Sequence, residues 1–234
     1  MRADRTPLST GPGAGGLGAF DTAARVAHYA AMTDTPDHAA AVTADKKQLR
    51  ARMKQVRQAA FEAQGKHVAE AIAAHGIGFA SPPPGAVVST FSAIGDEIDP
   101  MPLMRRLWAE GYEVALPAMD GKGRPLIFRR YREGDALAEK MWGIREPLPE
   151  APELFPDVVL ASLLAFDRHG WRLGYGGGFY DRSLAKVRAI KPVIAIGLAY
   201  DELEVDAVPH LDYDEPLDWV LTPSGPIRCG PNRA

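Results

Sequence analysis

The chain has 234 residues, 46% of them hydrophobic, which suits one large domain with a substantial core. Its formal net charge of −3 argues against bulk nucleic-acid binding, and no apolar run approaches the ~18 residues of a membrane span. The single cysteine, Cys229, excludes an internal disulfide or a zinc cluster, and the N-terminus lacks a secretory pattern, so a cytoplasmic enzyme is expected.

Residues 1–42 are rich in Gly, Ala, Thr, Asp and Pro and read as a flexible extension. Two windows there, Gly11–Gly16 and Gly13–Gly18, fit G-x-G-x-x-G, but no strand precedes them, so a dinucleotide site is not expected. Residues 43–225 are expected to form a single α/β catalytic domain, and 226–234 a C-terminal tail. Asp45 to about His75 predicts one helix, with Thr43 or Asp45 as N-cap. Leu49, Met53, Val56 and Ala60 make its apolar stripe. Lys46, Arg50, Lys54 and Arg57 recur at nearly the same spacing on a neighbouring face. Lys46 and Arg50 are one turn apart and can reach one anionic ligand together, although a solvated basic face is the plainer reading.

After Ser81-Pro82-Pro83-Pro84-Gly85, Ala86–Phe91 reads as a buried strand, followed by an acidic loop from Ser92 to Asp99. Pro100–Glu110 predicts a helix that Gly111 stops. Tyr112–Leu116 and Pro125–Tyr131 are strands that pair as a hairpin, the first ended by Pro117. Trp142–Pro147 is a compact loop. Asp157–Phe166 is the most apolar strand and suits a sheet centre. Ser183–Ala189 is a helix, Pro192–Leu198 a strand, Pro209–Pro216 an acidic loop and Asp218–Leu221 a last short strand. Strands alternating with helices imply a three-layer αβα sandwich, Rossmann-like, with a mainly parallel, mixed sheet. In such a sheet the loops after Phe91, Phe166 and Leu198 meet at the carboxyl ends of the strands, where ligands bind.

Between the apolar strand and its helix lies the richest stretch, Asp167–Arg182, reading DRHGWRLGYGGGFYDR. Gly174, Gly176, Gly177 and Gly178 are threaded with Tyr175, Phe179 and Tyr180 and flanked by Arg172, Leu173 and Asp181. Strand, glycine loop and helix together point backbone N–H groups at an anion, so the loop reads as a phosphate cradle. It is not a Walker loop, because Phe179 follows Gly178 where that motif needs lysine. The cations must come from Arg172, Arg182 or the Lys46/Arg50 helix. Mg²⁺ takes one or two carboxylates plus phosphate oxygens and water, which makes Asp181 and Asp214 candidates. A helix cap and a solvated turn acid are the plainer readings of those two. His169 reads as a surface turn residue.

Five segments, in order, resemble the 5-formyltetrahydrofolate cyclo-ligase family. They are Lys46–Arg50, Phe91–Asp99, Gly143–Pro147, Arg172–Arg182 and Tyr213–Asp218, together spanning about residues 45 to 223. The resemblance implies ATP- and Mg²⁺-dependent conversion of 5-formyltetrahydrofolate, free or polyglutamylated, to 5,10-methenyltetrahydrofolate. It implies that Lys46, Arg50 and the loop Arg172–Tyr180 bind ATP, with Arg172 and Tyr180 at the reacting groups. Asp181 and Asp214 would hold Mg²⁺. Ile94, Glu97 and Asp99 would line the folate site, with Trp142, Tyr175 and Phe179 shaping the pterin pocket. Phe179 stands where the family often has tyrosine, Tyr213 where bacterial members often have histidine, and Ile94 replaces a frequent methionine. A monomer that binds neither nucleic acid nor membrane is expected. Another ATP-dependent ligase or kinase on this scaffold, or a non-catalytic folate- or nucleotide-binding regulator, are the alternatives.

Overall fold

The computed structural model describes residues 36–65 and 67–230. The two early glycine windows and most of the expected extension fall outside them. Helix α1 (Pro36–Gln64) begins inside that expected extension, with Val42 fully buried. The single helix expected to run to His75 breaks at Gly65, whose φ of 57° and N–H bond to the Phe61 carbonyl (2.9 Å) end α1 in a left-handed cap. A separate helix α2 (His67–His75) follows.

The sheet collects β1 (Val87–Ser89), β2 (Glu113–Met119), β3 (Leu126–Arg130), β6 (Val158–Ser162), β9 (Ile194–Leu198), β10 (Trp219–Thr222) and β11 (Gly225–Arg228) in the order β11-β10-β9-β6-β1-β2-β3. The inner five run parallel, and β3 and β11 close the edges antiparallel. β6 sits in the middle because Val158, Val159, Leu160 and Ala161 are apolar on both faces, which only a doubly covered strand tolerates. On one face Val114 and Leu116 join Leu103 and Leu107 of α3 (Met101–Ala109). On the other, Ala115 packs with Leu126, Phe128 and Val187 of α4 (Phe179–Arg188). Helices on both faces give the three-layer, mainly parallel sandwich.

The strands depart from the sequence reading in four places. β2 continues through Pro117 to Met119. Ala115 turns its carbonyl to the Thr90 N–H (2.9 Å), so Pro117 turns its missing N–H to that same side, where pairing with β1 has stopped at Ser89. The long apolar strand ends at Ser162. Ala165–Phe166 is instead β7, paired with β8 (Arg172–Leu173) in a separate hairpin. The compact loop near Trp142 holds β5 (Arg145–Pro147), paired with β4 (Leu137–Glu139), and β11 occupies part of the expected tail.

Strands β2 and β3 lead away from β1 on one side; β6, β9, β10 and β11 extend on the other. The crevice beyond the carboxyl ends of β1 and β6 is therefore a topological switch point, where open α/β sheets bind ligands.

Candidate active site

The glycine loop leaves β8 and enters α4 at Gly178, which takes φ 62°, a left-handed conformation glycine adopts at little cost. Gly176, at φ 100°, lies where a side chain would press on the Arg50 guanidinium, 3.3 Å from a Cβ placed there. Helix α1 reaches the loop directly. Arg50 Nε donates to the Gly174 carbonyl (2.8 Å), and Lys46 Nζ donates to Asp214 Oδ2, which also accepts the Leu211 N–H (2.6 Å). Burial lowers the Arg50 pKa, with Asp214 and Tyr213 opposing. Arg172, nearly fully buried, donates to Asp181 Oδ1 (2.9 Å) and to the Glu215 carbonyl, and Asp181 Oδ1 takes the Glu215 N–H as well (3.2 Å). Lys46, Arg50, Arg172, Gly174–Gly178, Asp181 and Asp214 thus share one region. Leu173 points into the core, 1% exposed.

The loop after β1 meets the same helix one stage further along. Arg57, 2% exposed, donates through Nη2 to Asp96 Oδ1 (2.6 Å) and to the Tyr175 hydroxyl. Its Nη1 faces Glu97 Oε1 at 3.7 Å. Burial works against the Arg57 charge, but the bonds to Asp96 and Tyr175 outweigh it and raise the guanidinium pKa. Glu97 Oε2 accepts the Ile94 N–H (3.0 Å), stapling the loop. Burial pushes the Glu97 carboxyl up, against its bonds to Ile94 and Ser162 and the charge of Arg57. Burial likewise raises the Tyr180 hydroxyl, which accepts the Ser162 backbone N–H and lies within the fields of Glu97 and Arg172.

Other expected residues take different places. Asp99 is exposed and accepts the Met101 N–H (3.0 Å) at the start of α3. Phe179 packs toward the cluster of Ala115, Leu126, Phe128 and Val187, with the Arg182 guanidinium 5.5 Å from its ring centroid. Trp142 belongs to a single 3₁₀ turn, Met141–Gly143, and its side chain is outside the described part. His169 is exposed in a turn. Arg57, Asp96 and Ser162 join the site without having been singled out as site residues. Arg57 carried a signal in the basic stripe of α1; Ser162, inside an apolar run, carried none. A separate cleft of about 500 Å³ opens between His169, Trp171, Ile194, Asp218, Trp219 and Arg228, at the amino ends of β9 and β10, and contains none of the expected site residues.

Among the described residues, no group of three or more His, Cys, Asp or Glu side chains is placed to hold a metal. Two hard carboxylates, Asp181 and Asp214, flank the glycine loop, and Mg²⁺ asks no more of a protein when phosphate and water complete its shell. Each carboxylate is paired with a cation, Arg172 or Lys46.

The fold and the crowd of cations around a helix-opening glycine loop define an α/β enzyme of the anion-binding, nucleotide-using class. The sequence pattern of the 5-formyltetrahydrofolate cyclo-ligase family matches residues 42–223, and the chain belongs to that family. It is 37% identical over 186 residues to 5-formyltetrahydrofolate cyclo-ligase of Mycolicibacterium smegmatis, covering 76% of this chain and 93% of that one. It is 36% identical over 142 residues to the Escherichia coli K12 cyclo-ligase, covering 58% of this chain and 78% of the relative. The solved structure of Aquifex aeolicus 5,10-methenyltetrahydrofolate synthetase has the same fold, with a TM-score of 0.64 at 23% identity over 81% of this chain and 95% of that one. The chain is therefore a ligase of folate one-carbon metabolism.

Proposed function

We propose that the chain closes 5-formyltetrahydrofolate to 5,10-methenyltetrahydrofolate where α1, the Ile94–Asp99 loop and the glycine loop meet, at the expense of ATP. The formyl oxygen attacks the γ-phosphorus and ADP leaves. N10 then attacks the activated formyl carbon, N10 loses its proton, and the C–O bond breaks with departure of phosphate. Phosphorylation is needed because an amide oxygen leaves poorly as hydroxide and well as phosphate. The observation that carries this reading is that Arg50 holds the glycine loop at Gly174 while Arg172 and Lys46 pair with Asp181 and Asp214 around it, beside the loop the family resemblance assigns to folate.

Lys46, Arg50 and Arg172 neutralise the phosphates, and the N–H groups of Gly174–Gly178 cradle them. Arg172 and Tyr180 face the reacting groups, since the buried Tyr180 hydroxyl stays protonated and can donate. Asp181 and Asp214 would hold Mg²⁺, which would neutralise phosphate charge. Ile94 and Glu97 border the folate, and Tyr175 stands at its pterin pocket. The substrate is a free or polyglutamylated folate, and the enzyme acts as a cytoplasmic monomer. Among the described residues no helix is long and apolar enough to cross a membrane.

Purified protein with ATP, Mg²⁺ and 5-formyltetrahydrofolate should develop the near-violet absorbance of the methenyl product. ATP consumption without that absorbance sinks the proposal. Lys46→Ala should raise the KM for ATP about tenfold while changing that for the folate less than about twofold, a phosphate contact being worth roughly 1.4 kcal/mol here. Equal weakening of both would remove Lys46 from the phosphates.

A further inference from the structure

Arg57 follows Arg50 by two turns of α1, at ~3.6 residues per turn, and so lies on the same face of the helix. Arg50 holds the backbone of the glycine loop at Gly174, and Arg57 holds the next residue by its side chain, through the Tyr175 hydroxyl. The same guanidinium nitrogen holds Asp96, and the other terminal nitrogen faces Glu97 and the Leu163 carbonyl (3.4 Å). Tyr200, just past β9, adds its hydroxyl to the Asp96 carbonyl (3.4 Å). One buried cation thus spans the two loops that carry the proposed nucleotide and folate sites. A planar guanidinium with several fixed donors can do this; an ammonium, a compact point charge, reproduces the fork poorly.

The fastening is uneven. Asp96 and Glu97 are anchored inside the crevice, whereas the Tyr175 ring is 46% exposed, with the Lys54 ammonium 5.5 Å and the Arg57 guanidinium 5.1 Å from its centroid. Arg57 Nε is buried and makes no hydrogen bond among the described residues. A small void bounded by Arg57, Phe91, Glu97, Ser162 and Tyr200 lies next to it.

We propose that Arg57 is a positioning residue that couples the two substrate sites. Nucleotide bound to the glycine loop fixes Tyr175, Tyr175 fixes the guanidinium, and the guanidinium fixes Asp96 and Glu97 in the loop that receives the folate; the path runs equally well in reverse. The second substrate then binds a loop already ordered and binds more tightly. The inference rests on the assignment of these two loops to nucleotide and folate.

The test is a coupling measurement. A non-hydrolysable ATP analogue is titrated calorimetrically into the full-length protein, with and without saturating 5-formyltetrahydrofolate, and the ratio of dissociation constants is the coupling factor. The wild type should show positive coupling of about 5-fold or more, within the usual range for linked sites. Tyr175→Phe keeps the ring and removes the hydroxyl, and Asp96→Asn weakens the opposite anchor. Each should bring the factor to about 1–2, a larger change than in the affinity for either ligand alone. Arg57→Lys should do the same; if that variant does not fold, Tyr175→Phe, altered only at a half-exposed ring, carries the test. A wild type without coupling overturns the inference, as does wild-type coupling in both Tyr175→Phe and Asp96→Asn. In those cases the proposed function stands if the wild type turns over; absence of turnover overturns the function instead.

Discussion

Two buried carboxylates, Asp167 in the β7–β8 turn and Glu97 in the loop after β1, are built differently. Asp167 is 1% exposed and accepts the N–H groups of His169 (2.9 Å), Trp171 (3.1 Å) and Val208 (2.8 Å). All its hydrogen-bond donors are backbone, and they tie a tight turn to the segment at Val208. Glu97 is 7% exposed and takes one loop N–H, from Ile94, while its other favourable interactions come from Arg57 on α1 and Ser162 at the end of β6, against the charge of Asp96. Burial raises both carboxyls above their ordinary values. Burial and a shifted pKa therefore do not separate scaffold from site; the origin of the partners does. A carboxylate saturated by backbone donors holds one shape. One shared among three elements registers any movement between them.

The largest effect belongs to Asp167. Asp167→Ala leaves three buried N–H groups without an acceptor, and unfolding in denaturant should show a loss of about 3–5 kcal/mol. Turnover per folded molecule should change less than about twofold; a small stability loss with a large loss of turnover would move Asp167 into the chemistry and erase the contrast. Cys229 reports the same region, since its Cβ lies 3.2 Å from a Cβ placed on Gly170 and the Gly230 N–H donates to the Arg168 carbonyl (2.9 Å). Burial first, and the charges of Asp167 and Asp218 next, push its thiol up to about 12, so at pH 8 only roughly one molecule in ten thousand carries the thiolate. Alkylation of native protein should be slow, and about tenfold or more faster in Asp167→Ala as the hairpin loosens. Equal rates in the two proteins would show that the turn does not guard the thiol.

The same contrast explains what could be read from the chain. The glycine loop was legible because its residues are contiguous, and Lys46 with Arg50 because a helix brings positions four apart onto one face. Arg57 was visible in that stripe, yet its partners lie 39 and 118 residues away, and no local pattern encodes them. The most apolar segment reads as one strand to Phe166 because both its halves are apolar and buried; the switch into the β7–β8 hairpin after Ser162 leaves hydropathy unchanged. β4, β5 and β11 are too short to show alternation. The break at Gly65 carried a legible signal, a glycine inside a helical pattern. Pro117 misled in the opposite direction, because the sheet leaves that side of β2 unpaired.

The smallest effect belongs to Glu97→Gln, and its sign tests the comparison. The folded-state pKa of Glu97 lies above its ordinary value of 4.5, so the folded protein holds this proton more tightly than the unfolded chain does. The ionised form therefore costs stability at neutral pH. That cost is fully present above the folded pKa and disappears as pH falls through that value toward 4.5 and below. Glutamine keeps an oxygen for the Ile94 N–H and carries no charge. Thermal melts should find the variant at least as stable as the wild type at pH 7, with the difference shrinking toward pH 4.5. Cys229 alkylation, read at the far hairpin, should not change. A variant clearly less stable at pH 7 would mean that the charge contact with Arg57 outweighs burial, and Glu97 would then join Asp167 as part of the scaffold.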